Sequence, residues 1–313
     1  MTTGTLYLVP NLLGAIAPET VLPTQTLDVA RRLTHWAVET PKPARAFLKT
    51  LALPRPIAEL DIRPLPPLSS NAAPDGAGAS LLQAHTLPTL SPRGRGCPEG
   101  AGEGEKAPFY PSPPAPLPQG ERGAKYGARS QTGKHAIQKG SSVADISDAL
   151  TALLAPCLAG ADLGILTDAG CPGVADPGAP LVALAHRCGV PVKPLVGPSS
   201  LLLALMAAGM NGQRFTFHGY LPIPEDARAQ TLRRLEQESR QQQHATQIFI
   251  ETPYRNAALL AAITRALHPD SRLCVAADLT LPSESVITRP VREWRAIDGA
   301  GYQKRPAIFL LQA

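Results

Sequence analysis

Asp162-Leu-Gly-Ile-Leu-Thr-Asp-Ala-Gly-Cys-Pro-Gly-Val-Ala-Asp-Pro-Gly178 and Val190-Pro-Val-Lys-Pro-Leu-Val-Gly-Pro-Ser-Ser200 are the segments that decide the fold. Each begins as a run typical of a buried strand and changes to a turn of small residues that leads into a new helix. In an open α/β sheet, ligands bind outside the carboxyl ends of the strands, where loops present backbone N–H groups and helix N-termini. The two segments therefore predict a ligand cleft at one edge of a parallel sheet.

Similar runs recur on both sides of these segments and alternate with helical patterns, which indicates βαβ units on a parallel sheet. The predicted strands cover residues 5–9, 36–39, 163–166, 190–196, 215–217, 247–250 and 273–276. Ile146, Leu150, Leu153 and Leu154 have the spacing of one amphipathic helix face. Residues 200–208 are apolar all round, so we expect a fully buried helix there.

Residues 225–243 form a polar pattern with Leu232 and Leu235, which predicts a long exposed helix. Thr252 and Pro253 are expected to open a further helix as N-cap and first helical residue. In the same way, Asp176 is expected to cap a helix that has a proline in its first turn.

Residues 69–140 differ from the rest of the chain. Ten Pro and twelve Gly fall among these 72 residues, a composition typical of low complexity, which predicts a disordered insertion. A second unit is expected after Gly212. The predicted domains are thus an N-terminal α/β lobe, residues 1–211, which carries the insertion, and a C-terminal α/β lobe, residues 212–313.

The bulk composition fits an enzyme-sized globular chain of 313 residues, 44% of them apolar. The net charge of +5 is weak evidence for nucleic acid, because eight Lys/Arg against five Asp/Glu place +3 of it in the insertion. Five cysteines without a C-x-x-C pair argue against a disulfide framework or a metal site. Neither a membrane span nor a signal peptide is indicated, so we expect a cytoplasmic protein.

At this point the ordered motifs resemble a known family, the tetrapyrrole methylase superfamily of S-adenosylmethionine-dependent methyltransferases. Within it the chain is most similar to the branch containing the small-subunit ribosomal RNA 2'-O-ribose cytidine methyltransferase. Besides residues 167–178, the motifs are Gly4-Thr-Leu-Tyr-Leu-Val-Pro10, Pro194-Leu-Val-Gly-Pro-Ser199, Phe215-Thr-Phe-His-Gly-Tyr-Leu-Pro222, Phe249-Ile-Glu-Thr-Pro-Tyr-Arg255 and Ala307-Ile-Phe-Leu-Leu311. Each motif alone is weak, and their order and spacing together are specific.

The resemblance implies a two-lobed α/β fold with a mostly parallel sheet in the first lobe and a mixed sheet in the second. It also implies S-adenosylmethionine as cofactor, ribosomal RNA or the small ribosomal subunit as partner, and a homodimer. By matching positions, the cofactor contacts would be Pro10, Asp168, Ala169, Gly170, Cys171, Val174, Ala175, Ser199, Ser200, Ile250, Ala277, Pro306 and Ala307. No metal is expected.

Methyl transfer to a ribose hydroxyl requires removal of a proton, so a base or a water path should face the cofactor methyl group. Glu251, His218 and Glu39 are candidates for that base. Two of them also have a structural interpretation: His218 as a satisfied histidine at a strand end, and Glu251 as the ion-pair partner of Arg255. The sequence does not choose among them.

Two motifs depart from the family pattern. Residues 38–47 retain little of an A-E-D-T-R-H-T type segment, and residues 10–16 differ from a P-T-P-I-G-N-L turn. Two alternatives to ribose methylation of small-subunit ribosomal RNA therefore stay open. One is a methyltransferase for a tetrapyrrole or another small acceptor, and the other is a catalytically inactive cofactor-binding protein associated with RNA.

Overall fold

The computed structural model describes residues 2–66 and 143–313. The predicted disordered insertion, residues 69–140, lies outside the described residues, as does Cys97. All described residues belong to one compact unit. It contains two five-stranded sheets.

The first sheet is entirely parallel, with the strand order β3-β2-β4-β1-β5. Its central strands β4 and β1 are neighbours, so the loops that follow them leave the same edge of the sheet side by side. The strands are β1 (Leu6–Val9), β2 (His35–Val38), β3 (Asp61–Pro64), β4 (Leu163–Leu166) and β5 (Val192–Pro194).

Helices cover both faces of this sheet, because successive strand side chains point to opposite sides. Tyr7 and Val9 face the cluster that includes α1 and α2, whereas Leu6 faces the cluster that includes α3 and α4. The helices are α1 (Thr24–Arg32), α2 (Pro41–Thr50), α3 (Val143–Leu158) and α4 (Ala179–Arg187). The result is an α/β arrangement on a parallel sheet, as predicted, with helices on both faces.

The second sheet is mixed, with the order β6-β7-β10-β8-β9. Strands β6 and β7 are parallel, and β10 pairs antiparallel with both β7 and β8. The strands are β6 (Phe215–Tyr220), β7 (Thr246–Ile250), β8 (Arg272–Ala277), β9 (Ser285–Pro290) and β10 (Ala307–Gln312). This mixed sheet was expected from the resemblance and is confirmed.

One face of the second sheet packs against α6, α7 and α8, and the other face packs against α5. These helices are α5 (Ser200–Ala207), α6 (Glu225–Gln241), α7 (Asn256–Ala266) and α8 (Val291–Trp294). Helix α5 belongs to the first predicted lobe by sequence, yet its buried residues Ala204 and Leu205 pack on the second sheet. The lobe boundary at residues 211/212 stays a prediction.

Most predicted elements are present, and the differences have physical reasons. The predicted helix faces of α3 and α6 are confirmed, since Leu154, Leu232 and Leu235 are fully buried. The expectation that residues 200–208 are buried all round is wrong, because Leu202 is 53% and Met206 79% exposed. Helix α5 lies on the outer surface of the second sheet and has only one face to bury.

No helix within residues 2–66 and 143–313 is both long enough and apolar enough to cross a membrane.

Candidate functional site

A cavity of about 250 Å³ lies where loops from the first sheet meet strand ends of the second. Residues 169–176 after β4 and residues 199–201 at the start of α5 form one wall. Tyr220, Ile250 and Ala276, close to the carboxyl ends of β6, β7 and β8, form the opposite wall with the start of β10. This volume is just below the size range of small-molecule sites, about 300–1,000 Å³.

The turn after β4 depends on left-handed backbone conformations. Gly170 has φ +70° and Gly173 has φ +80°, values that glycine adopts without a steric penalty. Ala175 also has a positive φ, +66°, which is uncommon for a residue with a side chain. A Cβ at Gly170 would lie 3.5 Å from Cδ2 of Leu13, and both residues line the cavity. A larger side chain at position 170 would therefore take up space in the cavity.

Asn11 joins the loop after β1 to the loop after β4. Its side-chain Nδ2 donates to the carbonyl oxygens of Thr167 (2.8 Å) and Asp168 (3.1 Å). Its backbone N–H donates to the Gly170 carbonyl at 2.8 Å. Because Asn11 is only 5% exposed, these bonds are shielded from water. One buried amide thus fixes the first wall of the cavity.

Pro10 does not line the cavity; it packs against Gly197 in the turn after β5. A Cβ placed on Gly197 would lie 2.3 Å from Pro10 Cβ, which leaves room for glycine alone. The turn after β1 and the turn after β5, which were both expected to hold the cofactor, therefore contact each other at Pro10.

Three carboxylates meet beside the cavity. Glu39 Oε2 accepts from the backbone N–H of Asp168 at 3.0 Å, and Thr40 Oγ1 donates to Asp168 Oδ2 at 2.9 Å. Asp176 lines the cavity. Desolvation, with smaller contributions from Glu39 and Asp168, raises the pKa of Asp176 to about 6.

The structure corrects the capping prediction for Asp176. Gly178, with φ +132°, is the N-cap residue of α4, and its cap has no side-chain hydrogen bond. A capping aspartate would have its carboxylate stabilised by backbone N–H groups. Asp176 instead faces the cavity with a carboxyl group that is easier to protonate than usual.

Ser199 is the N-cap residue of α5, but its side chain makes no capping hydrogen bond. Ser199 and Ser200 both line the cavity, so their hydroxyl groups are available to a polar ligand. Cys171 lines it as well, with Sγ 3.4 Å from the Pro198 carbonyl oxygen. Burial, followed by the charge of Asp176, raises the pKa of the Cys171 thiol, which disfavours a nucleophilic thiolate.

Glu251 lies at the cavity wall with its side chain only 1% exposed. Its Oε1 accepts from Arg255 Nε (3.0 Å) and Nη2 (2.7 Å) and from the backbone N–H of Thr252 (2.6 Å). The predicted ion pair with Arg255 is therefore present. It stabilises a carboxylate whose burial alone would be costly.

His218 does not line the cavity; its Nε2 is 2.6 Å from Gln247 Oε1 on the neighbouring strand. The structure brings together ten of the thirteen predicted cofactor residues, and these are Ala169, Gly170, Cys171, Val174, Ala175, Ser199, Ser200, Ile250, Pro306 and Ala307. Pro10, Asp168 and Ala277 lie outside the lining, Ala277 because it is fully buried within the sheet.

Several lining residues have no sequence signal that would have selected them as cofactor contacts. Leu13, Leu201, Ala276, Leu279 and Ile308 are ordinary apolar residues that the fold brings together. Asp176 and Pro253 look like helix-start residues, and Tyr220 follows a strand pattern. The sequence signal that could have selected Asp176 is its place in the same loop as Asp168, a predicted cofactor contact.

The chain is similar to known proteins in sequence and in fold. The family model described as Tetrapyrrole (Corrin/Porphyrin) Methylases matches residues 115–294. A Synechocystis protein named ribosomal RNA small subunit methyltransferase I is 38% identical over 128 residues, 41% of this chain and 44% of the relative. A Pseudomonas aeruginosa protein of the same name is 34% identical over 155 residues, 49% of this chain and 53% of the relative.

This chain spans about half the length of the curated relatives it matches. Among solved structures, a conserved hypothetical protein from Aeropyrum pernix K1 superposes with a TM-score of 0.50 at 14% identity, covering 99% of this chain and 85% of that one. At that identity the likeness concerns the fold alone.

Proposed function

The chain belongs to the tetrapyrrole methylase family, and from this premise we propose that it is a methyltransferase that binds S-adenosylmethionine in the cavity beside β4. The observation that carries the proposal is the convergence of ten expected contact positions, distant in sequence, on one cavity. Such a cavity at the carboxyl ends of parallel strands is where α/β proteins bind ligands.

The residues present fit this cofactor. Its cationic groups would be held near Asp176, its carboxylate near the Ser199 and Ser200 hydroxyl groups, and its adenosine against Leu13, Ile250 and Leu279. When bound, the cofactor supplies a methyl group that its sulfonium already activates. The protein then has to align donor and acceptor and exclude water, and alignment alone can contribute on the order of 7–11 kcal/mol.

The acceptor we propose is a ribose 2'-oxygen of small-subunit ribosomal RNA. Support comes from the curated relatives, which are named for methylation of that RNA subunit. A tetrapyrrole or another small acceptor is the second candidate, because the family model is described by that chemistry. An inactive cofactor-binding protein is the third, supported by the altered segments 10–16 and 39–47.

Of the three candidate bases, Glu251 has the best position, since it alone lines the cavity. Its Oε1 accepts from Arg255 and Thr252, and among residues 2–66 and 143–313 no donor binds Oε2, which leaves that oxygen for a hydroxyl group or a water. Glu39 is bound to the backbone of Asp168, and His218 to Gln247. The proton acceptor stays a prediction.

The cofactor site is tested by calorimetry with S-adenosylmethionine on wild type and on Gly170→Val. We expect the variant to lose binding, because a side chain at Gly170 would protrude into the cavity and oppose a positive φ. Gly189→Val is the matched control: Gly189 has φ +68° and does not line the cavity. Equal cofactor affinity in the Gly170 variant and wild type would mean that the ligand binds elsewhere.

The acceptor is tested by transfer of a radiolabelled methyl group from S-adenosylmethionine to total ribosomal RNA or to a porphyrinoid. Label at ribose 2'-oxygens of the small-subunit RNA is the expected result. Label on the porphyrinoid alone would favour the second candidate. Tight cofactor binding without turnover on either acceptor would favour the third.

A homodimer acting in the cytoplasm is part of the same proposal. Leu202 and Met206, one turn apart on α5, expose 53% and 79% of their surface. Large apolar side chains on one exposed helix face are typical of a protein contact. We expect Met206→Glu to convert a dimer to a monomer in light scattering, and a wild-type monomer would contradict this part.

A further inference from the structure

Two exposed tyrosines belong to the cavity lining or follow it directly in the chain. Tyr220 ends β6 and lines the cavity, yet it is 61% exposed. Tyr254 follows the lining residue Pro253 and is 71% exposed. Aromatic side chains of this size bury much apolar surface when covered, so two of them facing solvent beside a ligand cavity are notable.

The backbone directs Tyr220 to this position. The pairing of β6 with β7 is regular as far as Phe217, and then shifts so that Tyr220 lies opposite Ile250. Gly219, with φ +65°, permits the irregularity. Bulges of this kind re-aim a side chain at the end of a strand, here towards the cavity opening.

Two cations lie beside the tyrosines. Arg255 is 36% exposed, and Glu251 holds its guanidinium through Nε and Nη2, while in the described part of the chain Nη1 makes no hydrogen bond. Hydrogen bonding to Glu251, with a smaller contribution from Tyr220, raises the pKa of Arg255, so its charge is permanent. Lys304 is exposed, and its backbone N–H donates to the Pro253 carbonyl at 2.9 Å.

A second hydrogen bond holds the backbone of the turn that carries Tyr254 and Arg255. Gln303 Nε2 donates to the Tyr254 carbonyl at 2.6 Å. The turn at residues 253–255 is therefore held by two consecutive residues, Gln303 through its side chain and Lys304 through its backbone N–H. A fixed guanidinium that keeps one N–H edge free suits a phosphate oxygen. An exposed tyrosine face suits an unstacked base.

We propose that Tyr220, Tyr254, Arg255 and Lys304 form an acceptor-binding mouth that takes an unpaired nucleotide of single-stranded RNA. The base stacks on a tyrosine, and the flanking phosphates contact the two cations. This rests on the proposed function and deepens it. A paired nucleotide would not fit, because its base faces are covered by neighbouring bases, and recognition of unstacked bases is how proteins bind loops and ends of RNA.

The test measures binding of a fluorescent single-stranded oligoribonucleotide of twelve nucleotides to the full chain by anisotropy. We expect Tyr254→Ala and Tyr220→Ala each to weaken binding by about 5- to 100-fold, the effect of losing one base-stacking contact. Tyr254→Phe keeps the ring and should stay within about twofold of wild type. Duplex RNA of the same length should bind more weakly than the single strand.

Phe215→Ala is the matched control, because Phe215 is an exposed aromatic residue, 46%, at the opposite end of the same strand as Tyr220. It should not change RNA affinity. Lys304→Gln should lower the slope of log affinity against log salt by about 0.7, as expected for one lost phosphate contact to a single strand. Tyr254→Ala, Phe215→Ala and Lys304→Gln do not alter the cavity lining, so their S-adenosylmethionine affinity should be unchanged, which shows that the cavity is intact.

The proposed acceptor-binding mouth is refuted if both tyrosine variants bind the oligonucleotide as tightly as Phe215→Ala does. It is also wrong if a carboxylated porphyrin, and not the oligonucleotide, binds with the same sensitivity to Tyr254→Ala. Failure here and failure of the proposed function are distinguishable. Methyl transfer to ribosomal RNA with normal binding by the variants would refute the mouth alone, whereas stacking-dependent RNA binding without transfer would refute the methyltransferase.

Discussion

At the scale of the residue, Asp176 connects stability with ligand binding. Its carboxyl group lines the cavity, next to the charges of Glu39 and Asp168. Burial and these neighbours disfavour the ionised form in the folded protein, while a cationic ligand would favour it. The free protein therefore holds a carboxylate that is less stable than it would be in water, and binding of a cation relieves this.

We predict that Asp176→Asn stabilises the free protein at pH 7.5 and weakens S-adenosylmethionine binding. The pKa of Asp176 rises from 3.8 unfolded to about 6 folded. Its contribution to stability is therefore fully present below pH 3.8 and is lost as pH rises through about 6. Asparagine carries no titrating proton, so the variant should have a free energy of unfolding at pH 7.5 that is higher by roughly 1–2 kcal/mol after allowance for solvent screening.

Urea unfolding at pH 4 and pH 7.5 checks this prediction, with the gain expected only at the higher pH. Wild-type cofactor affinity should rise between pH 5 and 7, and the affinity of the variant should not. Cys171 does not titrate over this range, because burial and the charge of Asp176 raise the pKa of its thiol. A variant that binds cofactor as wild type does across that range would remove Asp176 from the site.

Gly197 gives a prediction about packing. A Cβ here would lie 2.3 Å from Pro10 Cβ and 2.6 Å from Pro10 Cγ, so Gly197→Ala must displace the turn after β1 or the turn after β5. We expect a loss of about 1–3 kcal/mol in the free energy of unfolding. Gly212→Ala is the control, since nothing lies within 4 Å of a Cβ there, and its change should be below about 0.5 kcal/mol.

At the scale of the element, the site depends on β1 and β4 being adjacent strands. Parallel pairing places Val9 opposite Leu166, so the chain leaves both strands at the same level. Asn11 then binds the two exits together through the Thr167 and Asp168 carbonyls. A strand order that separated β1 from β4 would leave the same residues without a shared wall.

We predict that Asn11→Ala destabilises the fold by about 1–3 kcal/mol, because two carbonyl groups lose their donor. It should also weaken cofactor binding, since the loop after β4 is no longer fixed. Asn211→Ala is the matched control: Asn211 Oδ1 accepts from the backbone of Gln213 and Arg214 in a turn away from the cavity. Calorimetry should show normal cofactor affinity for the control, and equal affinities in both variants would contradict the role of Asn11.

The sequence predicts elements well where one periodicity dominates. Strand β4 was predicted with its exact bounds, because four apolar residues lie between turn residues. Strands β3 and β9 were missed, since both are edge strands that carry arginine and end in proline, a composition that reads as loop. For the site, the motif positions predicted the turns. The close approach of Pro10 to Gly197 and the position of Asp176 in the cavity lining could not be predicted, because both depend on tertiary packing.

At the scale of the whole molecule, the cavity draws its walls from both sheets. Residues 169–176 and 199–201 come from one side, and residues 250–253 and 306–308 from the other. A ligand bound there contacts both halves of the compact unit, so its binding energy opposes their separation. Stability and occupancy should therefore be coupled.

We predict that S-adenosylmethionine at one hundred times its dissociation constant stabilises the protein by about 2.7 kcal/mol. For a domain of this size this raises the midpoint of thermal unfolding by about 5–10 °C. Differential scanning calorimetry measures the shift, and Gly170→Val should show none under the same conditions. Absence of a shift in wild type would contradict the position of the site.

The two tryptophans of the chain give each half its own optical signal. Trp36 is buried in the first sheet, and its indole Nε1 has no hydrogen-bond partner in the described residues. Trp294 is buried beside the second sheet, and its Nε1 donates to the Leu273 carbonyl at 3.0 Å. Because the two indoles differ in polar contact, their fluorescence emission should differ in wavelength. Single tryptophan-to-phenylalanine variants would then show whether denaturant opens the halves together or one after the other.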